Sequence, residues 1–216
     1  MTKKSILSFG NAKMPASVAI FNLLAIEDCP NCETCKDTCY AKFRQGLPSI
    51  YAFRKRNSDM ARNNTKGLYD ILCKELSERL VAKGTKPAVK QVRIHEAGDF
   101  VSAEYYTMWV NVAKRFPMLK FFAFTKCDHL QWHFDNITAD NLNIINSTID
   151  GKYRNYGSKE YCQELVKNCN AYICPDTSHN SICMVQCKYC LRGKKPCFEI
   201  HGSLKGKDTY EASSQQ

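Results

Sequence analysis

Four cysteines crowd into eleven residues, Cys29-Pro30-Asn31-Cys32-Glu33-Thr34-Cys35-Lys36-Asp37-Thr38-Cys39, at spacings of two, two and three. That spacing lets one short loop wrap a cubane cluster, so any fold the chain adopts must present this loop to metal. A second constellation lies near the other end, Cys183-Met184-Val185-Gln186-Cys187-Lys188-Tyr189-Cys190, whose three thiols can face one ion or cluster. Cys174, nine residues before it, or Cys197, seven after it, can supply the fourth ligand. Between Cys174 and Cys197 there is little apolar periodicity, so metal must organise that segment.

The redox setting decides how these thiols are read. Met1-Thr2-Lys3-Lys4-Ser5-Ile6-Leu7 opens with two lysines and a short apolar patch that breaks at Gly10 and Asn11, far short of a signal h-region. No apolar run approaches the roughly 20 residues that span a bilayer. A chain in the reducing cytosol, away from membranes, keeps its thiols free and uses clustered cysteines as ligands rather than disulfide partners. The expected cofactors are therefore one or two 4Fe-4S clusters, held by Cys29, Cys32, Cys35 and Cys39 and by Cys174, Cys183, Cys187 and Cys190. Zinc is the alternative metal, since Cys29 with Cys32 or Cys187 with Cys190 are proper halves of a four-cysteine site. Iron-sulfur is favoured because zinc needs four thiols per site and the dense runs leave awkward surpluses. The remaining Cys73, Cys127, Cys162 and Cys169 read as buried apolar residues. Cys127 stands apart, because it lies just past the carboxyl end of a strand, where α/β sites are built.

At 216 residues the chain fits one domain around a single core. Residues 1–204 are expected to form it, and the polar tail 205–216 to be disordered. Helices are predicted at Ser49–Asn64 and at Lys66–Lys83, where Leu68, Ile71, Leu72, Leu76 and Leu80 recur at helical spacing. Val89–His95 alternates apolar with polar residues and reads as a strand. Ser102 caps a helix carrying Tyr105, Tyr106, Trp109, Val110 and Ala113, which ends before Pro117, and Leu119–Thr125 is the next strand. Strand, helix and strand within about forty residues make a right-handed crossover between parallel strands. A short helix at His129–Asn136, a strand at Leu142–Ser147, a helix at Glu160–Asn168 and a strand at Ala171–Ile173 repeat the pattern. With Ile6–Phe9 this gives about five βα steps, too few for a closed eight-stranded barrel. The expected class is α/β, a partial open (β/α) barrel or a small mostly parallel sheet, with cysteine-rich metal-binding loops near both ends.

Strand ends supply the other candidates. His95, Glu96 and Asp99 follow one strand, where they can shape a pocket by hydrogen bonding or proton transfer, although residues so placed also cap turns. Thr125, Lys126 and Ser147, with Asp150, end later strands on the same rim. The net charge of +10 favours a polyanionic partner, most often nucleic acid. Lys42, Arg44, Arg54, Lys55, Arg56, Arg62 and Lys66 interleave with Phe43, Tyr51 and Phe53, and cations with aromatic platforms suit single-stranded nucleic acid. A solvated helix face over buried aromatics explains them almost as well. There is no phosphate-binding glycine loop and no nucleophile elbow.

Taken together, these residues resemble the bacteriophage family called gene product 88. The likeness is carried by Leu7-Ser8-Phe9-Gly10-Asn11-Ala12-Lys13, by Cys29, Cys35 and Cys39-Tyr40-Ala41, and by Val92-Arg93-Ile94-His95-Glu96-Ala97-Gly98-Asp99-Phe100. Phe121-Phe122-Ala123-Phe124-Thr125-Lys126 and Cys174-Pro175 with Cys183, Cys187 and Cys190 complete it, over about residues 5–192. The arrangement is also similar to a shortened radical S-adenosylmethionine fold. There a first strand leads into a cysteine loop, here ending in Cys39-Tyr40, and a second ends in a glycine-rich acidic turn that contacts the methionine amine, here Gly98-Asp99. That resemblance implies S-adenosylmethionine bound near Gly98, Thr125, Lys126 and Ser147, a catalytic cluster on Cys29, Cys35 and Cys39, and an auxiliary one on the C-terminal cysteines. With the basic balance noted above, the expected substrate is a nucleotide or nucleic acid. The spacing of those enzymes is matched by Cys183, Cys187 and Cys190, whose place near the end of the chain argues against that role, whereas the N-terminal spacing departs from it, and if all four N-terminal thiols ligate, no iron stays open and radical chemistry is excluded there. The alternative is a non-catalytic, metal-stapled module that binds nucleic acid or a host protein such as a transcription component. Either would work in the cytoplasm of an infected host cell.

Overall fold

A computed structural model describes residues 5–32, 36, 39–146, 156–157, 159–168, 171–174, 189–192 and 195–199. Strand β1 (Ser8–Phe9) turns back at Gly10 to pair antiparallel with β2 (Val18–Phe21). Strands β3 (Gln91–Ile94), β4 (Lys120–Thr125) and β5 (Leu142–Asn146) then each pair in parallel with the strand before, giving the open five-stranded order β1-β2-β3-β4-β5. The sheet is thus mostly parallel and the chain is of the α/β class.

Parallel neighbours need crossovers, and these supply the helices. After α1 (Tyr40–Gln45), Pro48 opens α2 (Pro48–Asn63), where its missing N–H costs nothing. Asn64 ends α2 and begins α3 (Thr65–Glu78), its Oδ1 accepting from Gly67 N at 2.9 Å. Ser102 caps α4 (Ala103–Arg115), its Oγ accepting from Tyr105 N at 3.1 Å. Leu68, Leu72 and Leu76 of α3, Tyr105, Trp109 and Val112 of α4, and Phe134 of α5 (Gln131–Asn136) all bury against Ala19, Phe21, Val92, Ile94, Phe121 and Ala123. One face of the sheet therefore carries this helix layer. The alternate residues Val18, Ile20, Phe122 and Ile145 line the other face, where Met14 and Cys190 join them.

A smaller parallel sheet, in the order β6-β8-β7, combines Tyr156–Gly157, Lys195–Glu199 and Ala171–Ile173 beside α6 (Lys159–Asn168). Cys162 of α6 and Cys197 of β8 form a disulfide, with Cα atoms 5.6 Å apart. Cys162 is buried as expected but paired, because α6 packs against β8, and the pairing removes Cys197 as one of the two possible sources of a fourth ligand. Just before Cys197, Lys195 and Pro196 pair with β7 as part of a strand. The sequence pattern missed β2 and α1. All four residues of β2 are buried, so both faces are apolar and the alternation that marks a half-exposed strand is absent. The tail 205–216 lies outside the described residues.

Candidate functional site

The carboxyl ends of β2, β3 and β4 are joined by a polar scaffold, most of it carried by α2. The residues α2 buries are Arg54, Asn57, Ser58 and Ala61. Asn57 Nδ2 donates to Ile6 O and Asn22 O, each at 3.0 Å, and Ser58 Oγ accepts from Leu24 N at 2.9 Å. Asn22 Oδ1 accepts in turn from Glu96 N at 2.7 Å and Ala97 N at 3.1 Å. Buried backbone groups must be paired, and here side chains pair those of two adjacent loops. The buried Asp28 carboxylate closes the cysteine loop at its base, accepting from Leu24 N at 3.0 Å and from Arg62 Nε at 2.6 Å.

Asp99 is the centre of the rim. Its Oδ1 accepts from Thr125 Oγ1 at 2.7 Å and Phe100 N at 2.8 Å, and its Oδ2 from Lys126 N at 2.8 Å. Its own N–H donates to Asp28 O at 2.7 Å. One residue therefore ties the loop after β3 to the end of β4 and to the cysteine loop. Burial pushes its carboxyl above the ordinary range, and the hydrogen bonds from Lys126, Thr125 and Phe100 oppose that shift. Gly98 precedes it at φ +81°, with Leu23 packed where a side chain would stand.

The cysteine loop sits on this rim. Asn31 Nδ2 donates to Lys126 O at 2.6 Å and also bonds the Asp128 carboxylate, which fixes the loop to the end of β4. Tyr40 Oη donates to Glu96 O at 2.7 Å and fixes its other end to the end of β3. Cys29, Cys32 and Cys39 are not in disulfides and are half-buried, whereas Cys35 lies outside the described residues. Among the described residues no three cysteine, histidine or acidic side chains converge closely enough to hold an ion.

Two non-glycine residues in the left-handed region flank the site, Ile26 at φ +74° and His95 at φ +64°. Ile26 O accepts from Cys29 N at 3.1 Å, so its strained turn is the entry to the cysteine loop. At His95 the same backbone breaks strand alternation, and the ring follows Ile94 into the helix layer instead of facing away from it. There it packs on Phe100 and Tyr105, with Nε2 2.8 Å from Tyr105 Oη and Nδ1 without a partner. Glu96 instead faces outward, its Oε1 held by Asn11 Nδ2 at 2.5 Å and by Arg93 at 3.5 Å.

Burial first, and then the Arg93 charge, lower the His95 pKa from 6.5 to about 3, so the ring is neutral. The unfolded chain takes up this proton at higher pH than the folded one does. Stability is thus untouched above about pH 6.5 and falls as pH drops toward about 3, by at most ~1.4 kcal/mol per pH unit. Replacing His95→Gln is expected to flatten this acid limb, measured as urea midpoints across that range. An equally steep limb in the variant would show that other groups set it.

The remaining candidates separate. Cys127 is fully buried, its Sγ donates to Phe100 O at 3.3 Å, and burial pushes its thiol far up, which suits a structural role rather than a reactive one. Cys73 is buried on α3 as expected. Cys190 is buried on the sheet face opposite the helices, with Tyr172 Oη 3.2 Å from its Sγ and Asn143 Nδ2 donating to its O at 2.5 Å. Cys174 is buried, its N donating to Cys197 O at 2.7 Å. Ser147, Asp150, Cys169, Cys183 and Cys187 lie outside the described residues. Asn22, Asn31, Asn57, Ser58 and Asp28 were not singled out from sequence. The available signal was the set Arg54, Asn57, Ser58, Ala61 and Arg62, small and polar residues at helical spacing.

Among the described residues no helix is long and apolar enough to cross a membrane. No solved structure matches the chain. A curated relative, the gene 88 protein of Mycobacterium phage D29, is 23% identical over 215 residues, covering 83% of this chain and 87% of its own length. The family model described as gene product 88 matches residues 2–178. That span takes in the whole rim and the first cysteine loop, and the chain belongs to the gene product 88 family of bacteriophage proteins.

Proposed function

We propose that this chain is an iron-sulfur protein, a radical S-adenosylmethionine-like enzyme acting on a nucleotide or nucleic acid. The observation that carries the reading is the seating of the cysteine loop. It is fastened by Asn31 and Tyr40 over the carboxyl ends of adjacent parallel strands, the edge at which α/β folds build their sites. The donor set suits an iron-sulfur cluster, being rich in thiols that are outside any disulfide and half-buried at Cys29, Cys32 and Cys39. Those three with Cys35 would hold it, and a bound cluster would supply single electrons for reductive chemistry. Glu96, Gly98, Asp99, Thr125 and Lys126 stand around the loop, with Asp99 organising the backbone rather than meeting a ligand.

Anaerobically purified protein is expected to be brown, to absorb broadly near about 400 nm and to contain iron and sulfide in equal amounts. Cys29→Ser and Cys39→Ser are each expected to remove most of the iron of this loop while leaving helix content unchanged. Colourless protein with stoichiometric zinc overturns the iron-sulfur reading. A brown protein that leaves S-adenosylmethionine intact after reduction overturns the enzymatic part alone.

A second reading, a non-catalytic metal-stapled module binding nucleic acid or a host protein, is favoured by one observation. Of the three proton-transfer candidates, His95 is sealed in the core and Asp99 is saturated by hydrogen bonds, leaving Glu96 alone accessible.

A further inference from the structure

The helices beside the cysteine loop turn large apolar side chains outward. Phe43 is 81% exposed, Tyr40 66%, Leu47 56% and Tyr51 40%. Tyr40 and Phe43 lie on α1, Leu47 caps α2 and Tyr51 lies in its first turn. Apolar groups of this size normally bury, and a cluster of them on a surface marks something that covers it.

Charge identifies the covering partner. Between residues 40 and 66 stand seven basic side chains and one acidic one, Asp59; Arg54 is buried, Arg62 pairs with Asp28 and Lys55 with Asp59 at 2.8 Å, while Lys42, Arg44 and Lys66 are exposed. Lys42 and Arg44 are exposed and alternate with Phe43, so cations and a flat apolar face share one turn of helix. A second copy of this chain, with its +10 charge, would bring like charges together here. A duplex would offer phosphates but no base faces to the rings. A single strand offers both, phosphates for the cations and unstacked bases for Phe43 and Tyr51. The patch also meets the rim directly, because Tyr40 belongs to both and donates to Glu96 O.

We propose that the outward face of α1 and the start of α2 is a docking surface for single-stranded nucleic acid, which it leads toward the cysteine loop. Bases stack on Phe43 and Tyr51, and Lys42 and Arg44 take phosphates. The proposal deepens the function given above and rests on it for the substrate class, but not for the metal.

The test is fluorescence anisotropy of the anaerobically purified full chain with labelled single-stranded RNA and DNA of about twenty nucleotides, read between about 50 and 200 mM salt. Phe43→Ala and Tyr51→Ala are each expected to weaken binding roughly 5- to 100-fold. The double variant Lys42→Gln with Arg44→Gln is expected to lower the slope of log affinity on log salt by about 1.4. Absence of binding at the lower salt, binding indifferent to both aromatic substitutions, or equal affinity for a blunt duplex overturns the proposal. So does self-association that Phe43→Ala abolishes, which would assign the patch to a second copy. Iron and sulfide are measured on the same samples. Clustered protein that binds no strand removes this surface alone, and metal-free protein that binds with the expected losses removes the iron-sulfur reading alone.

Discussion

Asp99→Ala is expected to destabilise the protein by about 3–5 kcal/mol, because it strips the acceptor from donors that are buried or half-buried. The carboxylate receives Thr125 Oγ1, Phe100 N and Lys126 N, and alanine leaves at least the two backbone N–H groups unpaired, one in the loop after β3 and one at the end of β4. Asp99→Asn keeps one oxygen but turns an amide toward one of the donors, so a smaller cost of about 1–3 kcal/mol is expected. Urea unfolding gives the totals, and hydrogen exchange at the Lys126 amide locates the effect. The cysteine loop should stay tied to residue 99, since the bond to Asp28 O at 2.7 Å comes from the backbone N–H, which alanine keeps. An Asp99→Ala variant within about 1 kcal/mol of the parent would mean that the rim is held by something else.

Gly98→Ala is expected to cost about 2–4 kcal/mol, combining a left-handed backbone with a steric conflict. At φ +81° an added Cβ would lie 2.5 Å from Leu23 Cβ, an atom next to the backbone that has little room to move. Gly84 is the internal control. It also has positive φ, +56°, but nothing lies within 4 Å of its added Cβ, so Gly84→Ala should show only the backbone cost of about 1 kcal/mol. The difference between the two denaturation midpoints isolates the clash with Leu23. Equal effects would show that Leu23 yields without cost.

The sheet could be read from sequence wherever one face was apolar and the other was not. Val92 and Ile94 alternate with Gln91 and Arg93, and Tyr105, Trp109 and Val112 recur at helical spacing, so β3 and α4 were clear. Strand β2 was hidden by being buried on both faces, and α2 was recognised as a helix but not by the face it buries. Arg54, Asn57 and Ser58 look like a solvent face because hydrophobic periodicity is blind to polar groups that bury by pairing backbone. The rim positions of Glu96, Gly98, Asp99, Thr125 and Lys126 followed from strand ends. The seating of the thiols did not, since it depends on Asn31 and Tyr40, lone residues that form no pattern. His95 shows the opposite failure. Its place at a strand end was correct, but one left-handed residue sends its ring inward, and no alternation rule anticipates that.

The strand order has a consequence for biogenesis. Each parallel strand of the five-stranded sheet pairs with the one synthesised just before it, so a nascent chain can lay down that sheet as it leaves the ribosome, without waiting for a distant partner. The whole N-terminal thiol loop is contained in the first crossover, between Phe21 and Gln91. Once synthesis has passed Asp128, every anchor named for that loop exists, including Asn31, Tyr40, Asp99 and Lys126. The first cysteine loop can therefore be fastened to its rim while the C-terminal part of the polypeptide is still being translated.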